Sequence, residues 1–140
     1  MKFPWHSDKK TAADRVVGGS YASESVVESR AVAGVRFTIA KMSFGRRVEL
    51  MRRVRELARR TEFLGASEDS GDKMDAALLR SDIERLYVTW AVKAVSGLVV
   101  DGIVAGPELL AEAGPEELFQ EAVTLVRRET GLSEEERKNS

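Results

Sequence analysis

The hydrophobic pattern of this chain changes period at one point, and that change limits what the chain can fold into. Over 34–42, GVRFTIAKM, the apolar residues Val35, Phe37 and Ile39 alternate with Arg36, Thr38 and Ala40. A period of two in β-branched and aromatic residues predicts a half-buried strand near 35–40. After Met42 the apolar residues recur at three and four instead, the spacing of a helix. Ser43 is placed to cap that helix, predicted over 44–64. Its apolar face is read as Phe44, Val48, Met51, Val54 or Arg55, Ala58 and Thr61, widened by Leu50, Leu57 and Leu64, with arginines opposite.

Gly65 and the polar stretch after it mark a loop. Asp72 and Asp75 then have capping-box spacing for a second long helix, predicted over 73–95. Met74, Leu78, Ile83, Leu86, Tyr87, Trp90, Ala94 and Val95 supply its broad apolar face, and Ser96-Gly97 gives the exit. Two amphipathic helices joined by a short loop predict an antiparallel helical hairpin. Asp101-Gly102, set between valines and isoleucine, predicts a small β-hairpin with a type I′ turn; a buried loop with one local turn is the alternative. Gly106-Pro107 and Gly114-Pro115 open a short helix and a longer one over 115–130, because proline at the first helical position loses no needed amide bond. Leu118, Ala122, Leu125 and Val126 form the apolar face of the longer helix. Glu116 and Glu117 sit at its positive end and Arg127 and Arg128 at its negative end, with Gly131 closing it.

The expected fold is mainly α with a small β component: a helical hairpin, a C-terminal helix and a short strand or hairpin. Residues 1–33 read as an extended arm, with a strand or short helix of the domain as the alternative. Residues 34–132 read as one domain and 133–140 as a charged tail. No apolar run is long enough for a signal peptide or a bilayer span, so no membrane partner is expected.

Chemistry is hard to place in this sequence. There is no cysteine, and His6 is the only histidine. The absence of cysteine excludes disulfides, thiolate nucleophiles and cysteine-based zinc sites; His6 stands alone in the arm, so there is no histidine pair for a metal and a serine triad would have only His6 as its base. HExxH, EF-hand, GxSxG, P-loop and GxGxxG patterns are absent. The carboxylates from Glu68 to Asp75 do not match a calcium loop. No catalytic residue, metal or cofactor is expected.

The strongest electrostatic feature is the arginine-rich stretch 41–60. The net charge is −1, so any attraction must come from local segregation. Lys41, Arg46, Arg47, Arg52, Arg53, Arg55, Arg59 and Arg60 stand there against Glu49 and Glu56, while residues 101–140 hold ten acidic side chains and four basic ones. On a helix Arg52, Arg55 and Arg59 share one side. Arginine binds carboxylate and phosphate alike. An acidic protein partner or another copy of this chain is expected, with a solvated arginine face and a nucleic-acid surface as alternatives. Tyr87 and Trp90, three apart, read as core of the hairpin or as anchors for a partner.

The segments KMSFGRRVELMRRVRELARRTEFL, IERLYVTWAVKAVSGLVVDGIVAGPELLAEAGPEELFQEAV and GLSEEERKNS together resemble small proteins encoded in the tail-gene region of tailed bacteriophages and prophages, and among these the tail assembly chaperones. The matching residues are Arg46, Arg47, Glu49, Tyr87, Trp90, Asp101, Gly102, Gly114, Pro115 and Glu116. The resemblance implies a small, helical, non-enzymatic protein that binds tape measure and tail tube proteins in the host cytoplasm and is absent from the finished particle. The residues expected to meet a protein partner are Arg46, Arg47, Arg52, Arg55, Arg59, Tyr87 and Trp90. Residues 1–33 depart from the pattern. A long arm suits a structural subunit of a tail or head-tail connector, which keeps a virion component as an alternative.

Overall fold

A computed structural model describes residues 19–65 and 71–131. The expectations for the first part of the arm, for the loop after Gly65 and for the charged tail fall outside those residues. The described chain is mainly helical with a smaller β component. In order it forms β1 (Glu24–Glu28), β2 (Arg36–Ala40), α1 (Phe44–Gly65), α2 (Asp72–Ala91), β3 (Val92–Ser96), β4 (Val99–Val100), β5 (Ile103–Val104), α3 (Pro107–Ala113) and α4 (Glu116–Thr130).

The alternating stretch is the middle strand of an antiparallel sheet ordered β1-β2-β3. Its period of two has the expected result: Phe37 and Ile39 are fully buried while Arg36 is exposed. On that inner side the core continues into α2 through Val88 and Ala91, and into α4 through Leu118, Ala122, Val123, Leu125 and Val126. The apolar face predicted for α4 is buried throughout. Full burial of each of the larger of these side chains, the phenylalanine, isoleucine, leucines and valines, contributes about 1.5–3 kcal/mol relative to exposure. Glu116 and Glu117 lie in the first turn of α4 and Arg127 and Arg128 in its last, with Gly131 in the left-handed conformation beyond.

β1 lies inside the stretch read as an arm. Beyond its pairing with β2 and the half-buried Val27 against the core, its anchoring is polar. Ser25 Oγ donates to Glu129 Oε1 at 2.9 Å, Ser29 Oγ donates to Glu121, and the backbone N–H of Arg30 donates to Glu121 Oε2 at 2.6 Å. Two carboxylates of α4 thus hold a strand that carries few apolar residues.

The second helix ends earlier than its pattern suggests. α2 stops at Ala91, and Val92 is already extended, at φ −85 and ψ 112. Val92–Ser96 forms β3 without an intervening loop, pairing Val95 with Phe37 and Val92 with Ile39. An apolar run such as AVKAV fits either structure locally, and pairing with β2 decides for the strand. The register shifts between Thr38 and Ile39, which places one extra β3 residue, Lys93, in a bulge. The start of α2 is also corrected: Gly71 is the cap residue, with no side-chain cap bond, where Asp72 was expected. Ser43 does cap α1, accepting from the Arg46 N–H at 3.2 Å.

β4 and β5 form the expected hairpin, with Asp101 at φ 51 and Gly102 at φ 81. Two consecutive positive φ angles are the type I′ signature. Pro107 stands in the first turn of α3, and Pro115 caps α4.

Candidate protein-interaction surface

α1 carries two apolar stripes, and only one of them faces the protein. Leu50 is buried, and Val54, Leu57 and Thr61 are half-buried at the same helical spacing. That stripe packs against α2. On the other stripe Phe44 and Met51 are turned to solvent, while Val48 between them is half-buried. Phe44 is 85% exposed and Met51 63%, so these two are not the core contacts that their spacing suggested. Arg55 continues their stripe one turn on, and Arg52 and Arg59 lie beside it, all three exposed. The result is a solvent-facing surface that alternates apolar and cationic groups.

Burial also falls away along both helices. On α1 no described side chain beyond Leu50 is fully buried, and on α2 none before Tyr87 is. Met74 and Leu78, expected in the core, are 64% and 55% exposed. Among the described residues the outer half of this helix pair makes only half-buried contacts.

The predicted site residues divide into two groups. Arg46 is half-buried, and its guanidinium carbon lies 4.2 Å from the centre of the Trp90 ring. Its Nε and Nη2 atoms are buried and have no hydrogen-bond partner among the described residues. Arg47 reaches across to α4, where Nη2 donates to the carbonyl of Thr130 at 3.4 Å. Tyr87 is buried, with the Arg127 guanidinium 5.8 Å from its ring centre, and Trp90 is half-buried. These four residues join α1 and α2 to each other and to the body. Arg52, Arg55 and Arg59 form the second group. Arg52 meets only Glu49, at 3.9 Å, and Arg55 and Arg59 have no ion pair among the described residues.

Between α1 and α2 an open groove of about 490 Å³ is lined by Arg53, Glu56 and Arg60 of α1 and Asp82 and Arg85 of α2. Its charges alternate in sign, and Arg85 is already paired with Glu112. Glu84 is held by Arg127 at 3.7 Å and by Gln120 at 3.4 Å. Among the described residues no three metal-ligating side chains converge, and no helix is long and apolar enough to cross a membrane.

Sequence reasoning missed Phe44 and Met51 as surface groups. A signal was present: Leu50, Val54 and Leu57 make a complete stripe of their own, which leaves the other unneeded for packing. It also missed the exposure of the β4–β5 hairpin, where Val99, Ile103 and Val104 are 60%, 59% and 78% exposed. No family model, no curated protein and no solved structure matches the chain.

Proposed function

We propose that this protein works by binding other proteins, without catalysis, as an assembly factor of the tail assembly chaperone type acting in the host cytoplasm. Its partners in this reading are tape measure or tail tube proteins. α1 and α2 act as an antiparallel helical hairpin that offers the outward side of α1 to an acidic, partly apolar partner. The observation that carries the reading is the mixed surface of Phe44, Met51, Arg52, Arg55 and Arg59. Exposed apolar side chains among charged ones mark binding surfaces, and arginine and aromatic residues are enriched in them. The partner identity comes from the resemblance of the sequence to tail-region proteins.

The test pairs folding with binding. Arg55→Glu together with Arg59→Glu changes two exposed side chains, so unfolding should shift by no more than about 0.5 kcal/mol. Co-purification with tape measure and tube proteins should be lost, and the wild-type interaction should weaken as salt rises. Full co-purification by the folded double variant removes this face from the reading. Steeply salt-dependent DNA binding that the same variant loses, with protein partners unaffected, selects a nucleic-acid binder instead. The chain at fixed copy number in mature particles selects a structural subunit.

A further inference from the structure

We infer that the outward face of α1 is one half of a contact between copies of this chain, and that the other half is the β4–β5 hairpin with the first turn of α3. This rests on the protein-binding reading above and names a second copy as the occupant of the same face.

One molecule leaves two surfaces uncovered, and they are complementary in charge. Residues 98–126 contain six carboxylates and no lysine or arginine. Two of the six are engaged internally, Glu112 by Arg85 and Glu121 by Ser29 and Arg30. Asp101, Glu108, Glu116 and Glu117 are exposed and have no ion pair among the described residues. Asp101 tops the hairpin and Glu108 opens α3, four residues after Val104. Between them stand Ile103 and Val104, 59% and 78% exposed. This corner is apolar and acidic, as the α1 face is apolar and basic. Each sets exposed apolar side chains beside charges of one sign, the composition of a binding surface.

The two surfaces sit on elements that do not pack against each other. α1 packs on α2, whereas α3 packs on α2, β3, β4 and α4. Their exposure shows that neither covers the other within one molecule. Because the halves differ, each copy that docks through α1 still offers its own corner to the next. Such a contact is heterologous and builds a ring or an open row of subunits. Opposite charges set the register, and the apolar groups supply the buried centre.

The experiment uses the full chain in sedimentation at low and high salt. The wild type should sediment as species larger than one 15.5 kDa chain, shrinking as salt is added. Two variants each remove one half: Arg55→Glu with Arg59→Glu, and Asp101→Asn with Glu108→Arg. Asparagine is chosen because it tolerates the left-handed backbone at Asp101. Each variant alone should associate at least about tenfold more weakly, since charge pairs at an interface are worth a kilocalorie or more. Mixed together they should associate again, because each keeps the half that the other lacks. If the second variant fails to fold, Val104→Asp replaces it with the same expectation. A wild type that stays a single chain at low salt overturns the inference. So does a loss confined to one variant, or a mixture that does not recover. A single-chain wild type that still co-purifies tail proteins through α1 leaves the protein-binding reading intact, and a self-associating chain that captures none does the reverse.

Discussion

Gly97 is the position where the backbone leaves least room. It sits at φ +84, and a Cβ built there would lie 2.1 Å from the carbonyl oxygen of Gly34. Gly97→Ala should cost on the order of 3 kcal/mol or more, because strain and a backbone clash act together. Gly34 has a similar φ of +87 but open space around its Cβ direction. Gly34→Ala should therefore cost only about 1–2 kcal/mol, the left-handed penalty alone. Urea unfolding of the two variants checks the ranking, and equal losses would contradict it. Arg46 poses the opposite question. Its Nε and Nη2 are buried with no hydrogen-bond partner among the described residues, a desolvation cost of about 1–3 kcal/mol that the stacking of the guanidinium on the Trp90 ring offsets by about 0.5–2 kcal/mol. Arg46→Met keeps an elongated side chain on the ring and removes the unpaired donors. Stability should hold or rise, and a loss above about 1 kcal/mol would show that the guanidinium is needed there.

The elements differ in how firmly they are held, and this is measurable by hydrogen exchange. α4 buries Leu118, Ala122, Val123, Leu125 and Val126, while α1 after Leu50 and α2 before Tyr87 bury no described side chain fully. Amides near residues 55–62 and 73–79 should exchange through local opening well before those at 122–126. Equal protection in both regions would mean that the outer parts of α1 and α2 are as well packed as the core. The same contrast explains what the sequence could reveal. β2, the β4–β5 turn and the faces of α4 were legible because burial there follows period and turn chemistry. β1 was not, since it is held by Ser25 and Ser29 on two glutamates of α4, contacts between residues far apart in the chain. β3 was not, because Val92 and Val95 suit a helix equally well until β2 is beside them. On α1 two stripes competed, and only the position of α2 chose Leu50 over Met51.

For the whole molecule, charge distribution bears on association more than on stability. Most of the ion pairs are well exposed, such as Arg36–Glu28 and Arg85–Glu112, and pairs of that kind contribute about 0–1 kcal/mol each. The net charge is −1, so general repulsion is small as well. Raising salt from low to roughly half molar should change unfolding by no more than about 1 kcal/mol. Binding to any partner of the α1 face should fall over the same range. A large loss of stability with salt would mean that the ion pairs hold the fold. The arginines of the candidate surface were legible as a cluster in the sequence. Their division was not, because Arg46 and Arg47 differ from Arg55 and Arg59 only in what the fold places beside them.

α2 runs into β3 with no loop between Ala91 and Val92. The chain passes from helix to strand in a single residue step, so any displacement of the last turn of α2 is handed to Val92, which pairs with Ile39 in β2. The inner end of α2 is thereby tethered to the sheet, while its outer end toward Met74, where no described side chain is fully buried, is free to open on its own.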